Sequence, residues 1–193
     1  MSLYQNKKIS FTLLSIVIVA LSSLCVYFIT EYSHNLQMGV LNISGLPQSY
    51  FVLFKISSTM AAMIPLILCL FIYSSTEMIL NNLFCEKIEK TLLFNIIGIS
   101  YIPMLIYQYV LWYNIVTYCS TSNIKSIDTF VNMKFMYGLT LKDFEYVNLI
   151  CWGLIYLIPI IILIYKGFRI IPIFIAFILP SALSVLFYNI ISD

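Results

Sequence analysis

Five cysteines, one histidine and a few acidic residues are the side chains from which this 193-residue chain could build a catalytic or metal site. The cysteines, Cys25, Cys69, Cys85, Cys119 and Cys151, are odd in number, widely spaced and mostly inside apolar runs, unlike a disulfide framework or a CxxC metal site. They read as small packing residues. His34 lies in a polar stretch with no second ligand or nucleophile nearby, so it reads as an exposed loop residue. Proteolysis inside a membrane would need a GxSG-like serine with histidine, paired aspartates, or a glutamate and histidine cluster on a metal, and the apolar runs hold none of these. Only Glu77, Glu86 and Glu89 gathered about a metal would revive an enzyme reading. Phosphate-cradling glycine loops are missing too. The expectation is a non-enzymatic chain without metal or cofactor.

What the apolar runs do carry is amide, hydroxyl and proline. The third run holds Asn95, Ser100, Tyr101, Pro103, Tyr107 and Gln108, and the second holds Ser57 and Ser58. At about 100° per residue, Gly98, Tyr101, Leu105, Gln108 and Trp112 share one helical face, while Ser100, Pro103, Tyr107 and Asn114 lie opposite. Two uses remain open. Such groups can hydrogen-bond a neighbouring helix, or Gln108, Tyr107, Ser100 and Asn95 with Ser57 and Ser58 can line the route of a small carrier or channel subunit. No Asp, Glu or His lies deep in any run, so a proton relay has no obvious residues.

Proline stands in four of the runs, at Pro65, Pro103, Pro159, Pro172 and Pro180, where each frees a carbonyl and bends its helix. Small residues recur beside them. Ser58, Ala62, Pro65 and Cys69 form one stripe of the second run, and both Ser57/Ala61 and Ser58/Ala62 have the small-xxx-small spacing that lets backbones approach. Pro172, Ala176, Pro180 and Ser184 repeat the pattern in the fifth. These faces can pack inside the protein or onto a partner.

The elements that must position these groups are membrane helices. The chain is 62% hydrophobic and 9% charged with mean hydropathy +0.99, whereas soluble domains carry about 25% charged residues. A net charge of +2 is too small for a nucleic-acid footprint. Apolar runs at about 9–30, 51–73, 92–116, 146–165 and 170–191 each approach the length needed for a hydrocarbon core of about 30 Å. The first runs on past Leu24-Cys25, which lacks the small residue of a cleavage site, so no processing is expected. Residues 75–91, with Leu80, Phe84, Ile88 and Leu92 opposite Glu86, Lys87, Glu89 and Lys90, read as a helix at the membrane surface. Residues 117–145 read as an outer loop containing an amphipathic piece at 127–135, with Gly138 as its stop. Its Phe130, Phe135, Tyr137 and Phe144 are candidates for recognising a peptide. Tyr107, Tyr109, Trp112 and Tyr113 suit the headgroup level. Lys7, Lys8, Lys87, Lys90, Lys166 and Arg169 fall on one side and Lys125, Lys134 and Lys142 on the other, which favours an N-in, C-out arrangement. The fold class is therefore an all-α, polytopic bundle of about five transmembrane helices in one domain, 1–193, with the lipid bilayer as partner.

From Met63 to Tyr109 a proline-containing run, a short amphipathic link and then EKTLLFNIIGISYIPMLIYQYV follow one another, centred on Tyr101-Ile102-Pro103. Further on, DFEYVNLICWGLIYLIPIIILIYKGFRIIP carries Trp152 and Gly153 early in a run and Lys166 and Arg169 in the turn after it. Both segments resemble Yip (Ypt-interacting protein) family membrane proteins. The resemblance implies five spans with the N-terminus inside. The acidic tyrosine-glycine-proline motif that links eukaryotic members to small GTPases has no counterpart here, so what remains resembles the short bacterial members. Those are taken as accessory components beside ABC-type exporters, or as immunity-like protection against peptide toxins, in the bacterial cytoplasmic membrane. The expectation that follows is an accessory protein bound to another membrane protein or to copies of itself.

Overall fold

A computed structural model describes the backbone of residues 2–40, 48–121, 134–135 and 138–192, and the side chains within 11–36, 50–118, 134–135 and 138–182. Among the described residues there are six α-helices and no strand: α1 Ser2–Val40, α2 Gln48–Met78, α3 Lys90–Ser100, α4 Ile102–Thr121, α5 Leu141–Tyr165 and α6 Ile170–Ser192. Four stretches, Phe11–Leu36, Tyr50–Leu83, Lys90–Tyr118 and Leu141–Tyr165, are long and apolar enough to cross a membrane, and α6 adds the apolar Ile170–Ala182. Large side chains such as Met60, Leu149, Ile150 and Ile171 are at least 63% exposed, a surface that water would not tolerate on this scale. The chain is an all-α, multi-pass membrane protein, with lipid as the solvent of these faces.

Helix boundaries depart from the hydropathy reading in three places. The first helix does not stop near Thr30 but runs to Val40, because Ile29, Tyr32 and Leu36 keep one face packed against Ile115, Phe135 and Phe144. His34 is thus a helical residue, not a loop residue. The surface helix expected over 75–91 is not formed. Its first part completes α2, which ends in a π-helical turn at Ile79–Leu83, and residues 84–89 are non-helical before α3 starts at Lys90. The outer loop of 117–145 is shortened at both ends. The fourth helix continues to Thr121, and α5 begins at Leu141 because Asp143 Oδ2 accepts from both Thr140 N–H and Thr140 Oγ1–H at 2.7 Å, capping the first turn. The amphipathic piece at 127–135 lies outside the described residues apart from Lys134 and Phe135.

Prolines act in two ways. Pro65, Pro159 and Pro180 stand inside their helices. Pro103 goes further than a bend: lacking an N–H it cannot bond the Ile99 carbonyl, and the helix is interrupted at Tyr101, whose own N–H turns back to Gly98 O at 3.2 Å. Pro172 sits in the first turn of α6, where a missing N–H costs nothing.

Packing concentrates in two compact units. The first comprises Met1–Val19, Ile67–Ile102 and Gly153–Asp193, and the second Ala20–Leu66 and Pro103–Trp152. The interior of the first is aliphatic, with Ile72, Leu80, Leu93, Ile97, Ile155, Leu163 and Ile173 nearly or wholly buried around Tyr101 and Phe177. Two ion pairs lie at its edge, Glu77–Lys90 at 2.9 Å and Glu86–Arg169 at 3.4 Å. In the second, Ile115, Phe135 and Phe144 form a cluster edged by Tyr107, Leu111 and Tyr118.

Candidate functional site

In the first unit, α1 buries Ser15, Ile18 and Val19, the i, i+3, i+4 face of an amphipathic helix. Ser15 Oγ lies 3.1 Å from the Phe11 carbonyl of its own helix and 3.1 Å from the Asn95 carbonyl of α3. Beside it Gly98 is indispensable to the approach: a Cβ there would stand 2.5 Å from Ser15 Cβ. Asn95 therefore contributes its main-chain oxygen, while its Oδ1 is buried without a partner. Ser100 Oγ donates to Ile97 O at 2.6 Å within its own helix, and Tyr101 is fully buried with its hydroxyl unpartnered. Thr76 Oγ1 reaches the Ala176 carbonyl at 3.4 Å. Pro172, Ala176 and Pro180 are all buried, so this small-residue face of α6 is spent inside the protein.

In the second unit, Ser22 Oγ donates to Gln108 Oε1 at 2.6 Å, a short bond between two buried side chains. Tyr107 is half-buried with its ring 6.4 Å from Phe144, and the Pro103 carbonyl accepts from Cys151 Sγ at 3.6 Å. Ser58 is buried and donates to the Phe54 carbonyl at 3.1 Å, and His34 Nδ1 lies 3.2 Å from the same oxygen. Ser57, one residue earlier, is exposed, while Ala61 and Ala62 are half-buried and Pro65 is buried.

The polar residues singled out from sequence are thus spread over separate contacts. No hydrogen bond joins any two of Asn95, Ser100, Tyr101, Tyr107, Gln108, Ser57 and Ser58. Their partners Ser15 and Ser22 escaped the sequence reading, although two small hydroxyls seven residues apart in one apolar run share a helical face and were the available signal. The outer-loop aromatics need correction: Phe135 and Phe144 are 3% and 4% exposed and serve the core, while Phe130 and Tyr137 lie outside the described residues. Among the described residues no three His, Cys, Asp or Glu side chains gather closely enough to hold a metal ion. Glu77, Glu86 and Glu89 are each engaged elsewhere, with Lys90, Arg169 and Thr91. No protein family, curated protein or solved structure matches the chain. What the arrangement can do chemically is hold helices together, through hydroxyl donors and close backbone approach.

Proposed function

We propose that this multi-pass membrane protein is a non-enzymatic accessory protein that binds another membrane protein, such as an ABC-type exporter, or protects its host against a peptide toxin. In this reading it lies in a bacterial cytoplasmic membrane, N-terminus inside. The observation that carries it is the division of the doubled small-residue motif of α2. Ser58 and Pro65 are buried inside the protein, while Ser57 is left exposed in the register of Ala61, beside the exposed Met60 and Ile64. A small-residue face turned outward within a membrane is a surface another helix can approach closely. The resemblance to short Yip family members supports the same reading. The carrier alternative has less support, because Ser100 and Ser58 each have a carbonyl acceptor within their own helix and the Gln108 side-chain oxygen is taken by Ser22.

Purification of tagged protein from native membranes in gentle detergent tests the proposal. A co-purifying membrane protein that is lost from Ala61→Leu, but retained by a conservative Ala61→Gly, is the expected result. Should the wild type purify alone at every detergent strength, and its deletion change neither export nor toxin sensitivity, the reading fails.

A further inference from the structure

Within the second unit, α1 and α2 form a small cleft of about 60 Å3 lined by Glu31, His34, Asn35, Phe51, Phe54, Lys55 and Ser58. We propose that it binds the headgroup of an aminophospholipid, with the ammonium on Glu31 and His34 and the phosphate on Lys55.

Charge is the first argument. Glu31 and Lys55 line the same cleft with opposite signs, yet among the described residues neither is paired with the other or with a further charged group. Among the described residues two acid–base pairs do form, Glu77–Lys90 and Glu86–Arg169. Two unpaired charges of opposite sign on one cleft are the complement of a zwitterion, not of a simple anion or cation. Hydrogen bonding narrows the choice. In the tautomer that carries its proton on Nδ1, 3.2 Å from Ser58 Oγ, His34 presents Nε2 as an acceptor, and a primary ammonium offers hydrogens to both it and the Glu31 carboxylate. A quaternary ammonium offers none. The ring of His34 is held in place by Phe54, with centroids 4.7 Å apart.

Location and size argue for a lipid over a free solute. The cleft lies where the apolar run of α1 gives way after Thr30 and that of α2 begins at Phe51, the level at which headgroups meet hydrocarbon. Tyr50, Phe51, Val52 and Leu53 are exposed beside it and suit acyl chains. A volume of about 60 Å3 admits an ammonium group but not acyl chains, which would lie outside it, in the bilayer.

The test reconstitutes the full chain in phosphatidylcholine nanodiscs containing equal fractions of phosphatidylethanolamine and phosphatidylglycerol, and measures the lipid retained by native mass spectrometry. The expected result is phosphatidylethanolamine enriched about fivefold over phosphatidylcholine, within reach of one partly exposed ion pair. Glu31→Gln abolishes the preference over phosphatidylglycerol, and Lys55→Gln lowers retention of both. Wild-type protein given mono- and dimethylated phosphatidylethanolamine shows a stepwise fall in enrichment, a readout that needs no variant to fold. Water-soluble glycerophosphoethanolamine competes weakly if the source is a lipid, and fully if it is a free headgroup. Retention in bulk proportion, or enrichment indifferent to methylation and to both substitutions, overturns the proposal. Lipid selectivity is read independently of any protein partner, so this failure is distinct from that of the accessory function.

Discussion

The two units solve the problem of polar groups inside a membrane protein differently. In the first, hydroxyls reach across to main-chain carbonyls, Ser15 to Asn95 O and Thr76 to Ala176 O. In the second, the hydroxyls meet side chains, Ser22 with Gln108 and Ser58 with His34, and only the weakly donating Cys151 thiol reaches a carbonyl on another helix, that of Pro103. The Asn95 carbonyl already accepts a bond within its own helix, so a hydroxyl aimed at it adds little energy but demands that the backbones come close, whereas the Ala176 carbonyl is the one Pro180 frees and Thr76 supplies its donor. Glycine or alanine at the crossing is then the critical residue. A side-chain pair makes the reverse demand: it tolerates more distance but fails when either member changes, because the other is left buried and unsatisfied. The first arrangement is specified by what is missing, the second by what is present.

Gly98→Ala should break the first unit hardest. Its Cβ would sit 2.5 Å from Ser15 Cβ, and relieving that clash is expected to cost about 2 kcal/mol in reversible unfolding by SDS titration. Adding Ser15→Gly should recover most of the loss; no recovery would show that the crossing is not what glycine serves. A double-mutant cycle on Ser22→Ala and Gln108→Leu should give a coupling of about 1 kcal/mol, whereas Ser15→Ala alone should cost less, since Asn95 O keeps its helical bond. Equal values would erase the distinction between the units. The smallest effect is expected at Cys85, exposed at the edge of the first unit with φ 53°. Left-handed backbone costs a non-glycine residue about 1–2 kcal/mol and glycine's extra chain entropy about 0.5–1, so Cys85→Gly should raise stability by about 0.5 kcal/mol.

Hydropathy was enough to find the membrane helices; of the two small-residue stripes, Ser58, Pro65, Cys69 and Pro172, Ala176, Pro180 are buried, Ala62 is half-buried, and the side chain of Ser184 lies outside the described residues. It failed where the governing interaction was not polarity along the chain. Glu31, Ser33, His34 and Asn35 look like the start of a loop, yet the same turns carry Ile29, Tyr32 and Leu36, whose packing holds the helix to Val40. Phe135 and Phe144 look available in a polar region because the residue that buries them, Ile115, lies on another helix. Ser15 and Ser22 pass unnoticed because one hydroxyl hardly alters the mean hydropathy of a long run. Pro103 announces a bend, but only the fully buried Tyr101 beside it makes the bend a break.

The turn between α5 and α6 has a consequence for biosynthesis. Gly167, at φ 88°, lets Phe168 N–H reach Leu163 O at 3.2 Å and its own N–H reach Ile164 O at 2.9 Å, closing α5 in a Schellman motif. The next helix starts at Ile170, leaving no slack for one to wait while the other crosses. The two helices are expected to insert as a hairpin with Lys166 and Arg169 at its tip, so that lengthening the turn would let each be inserted alone.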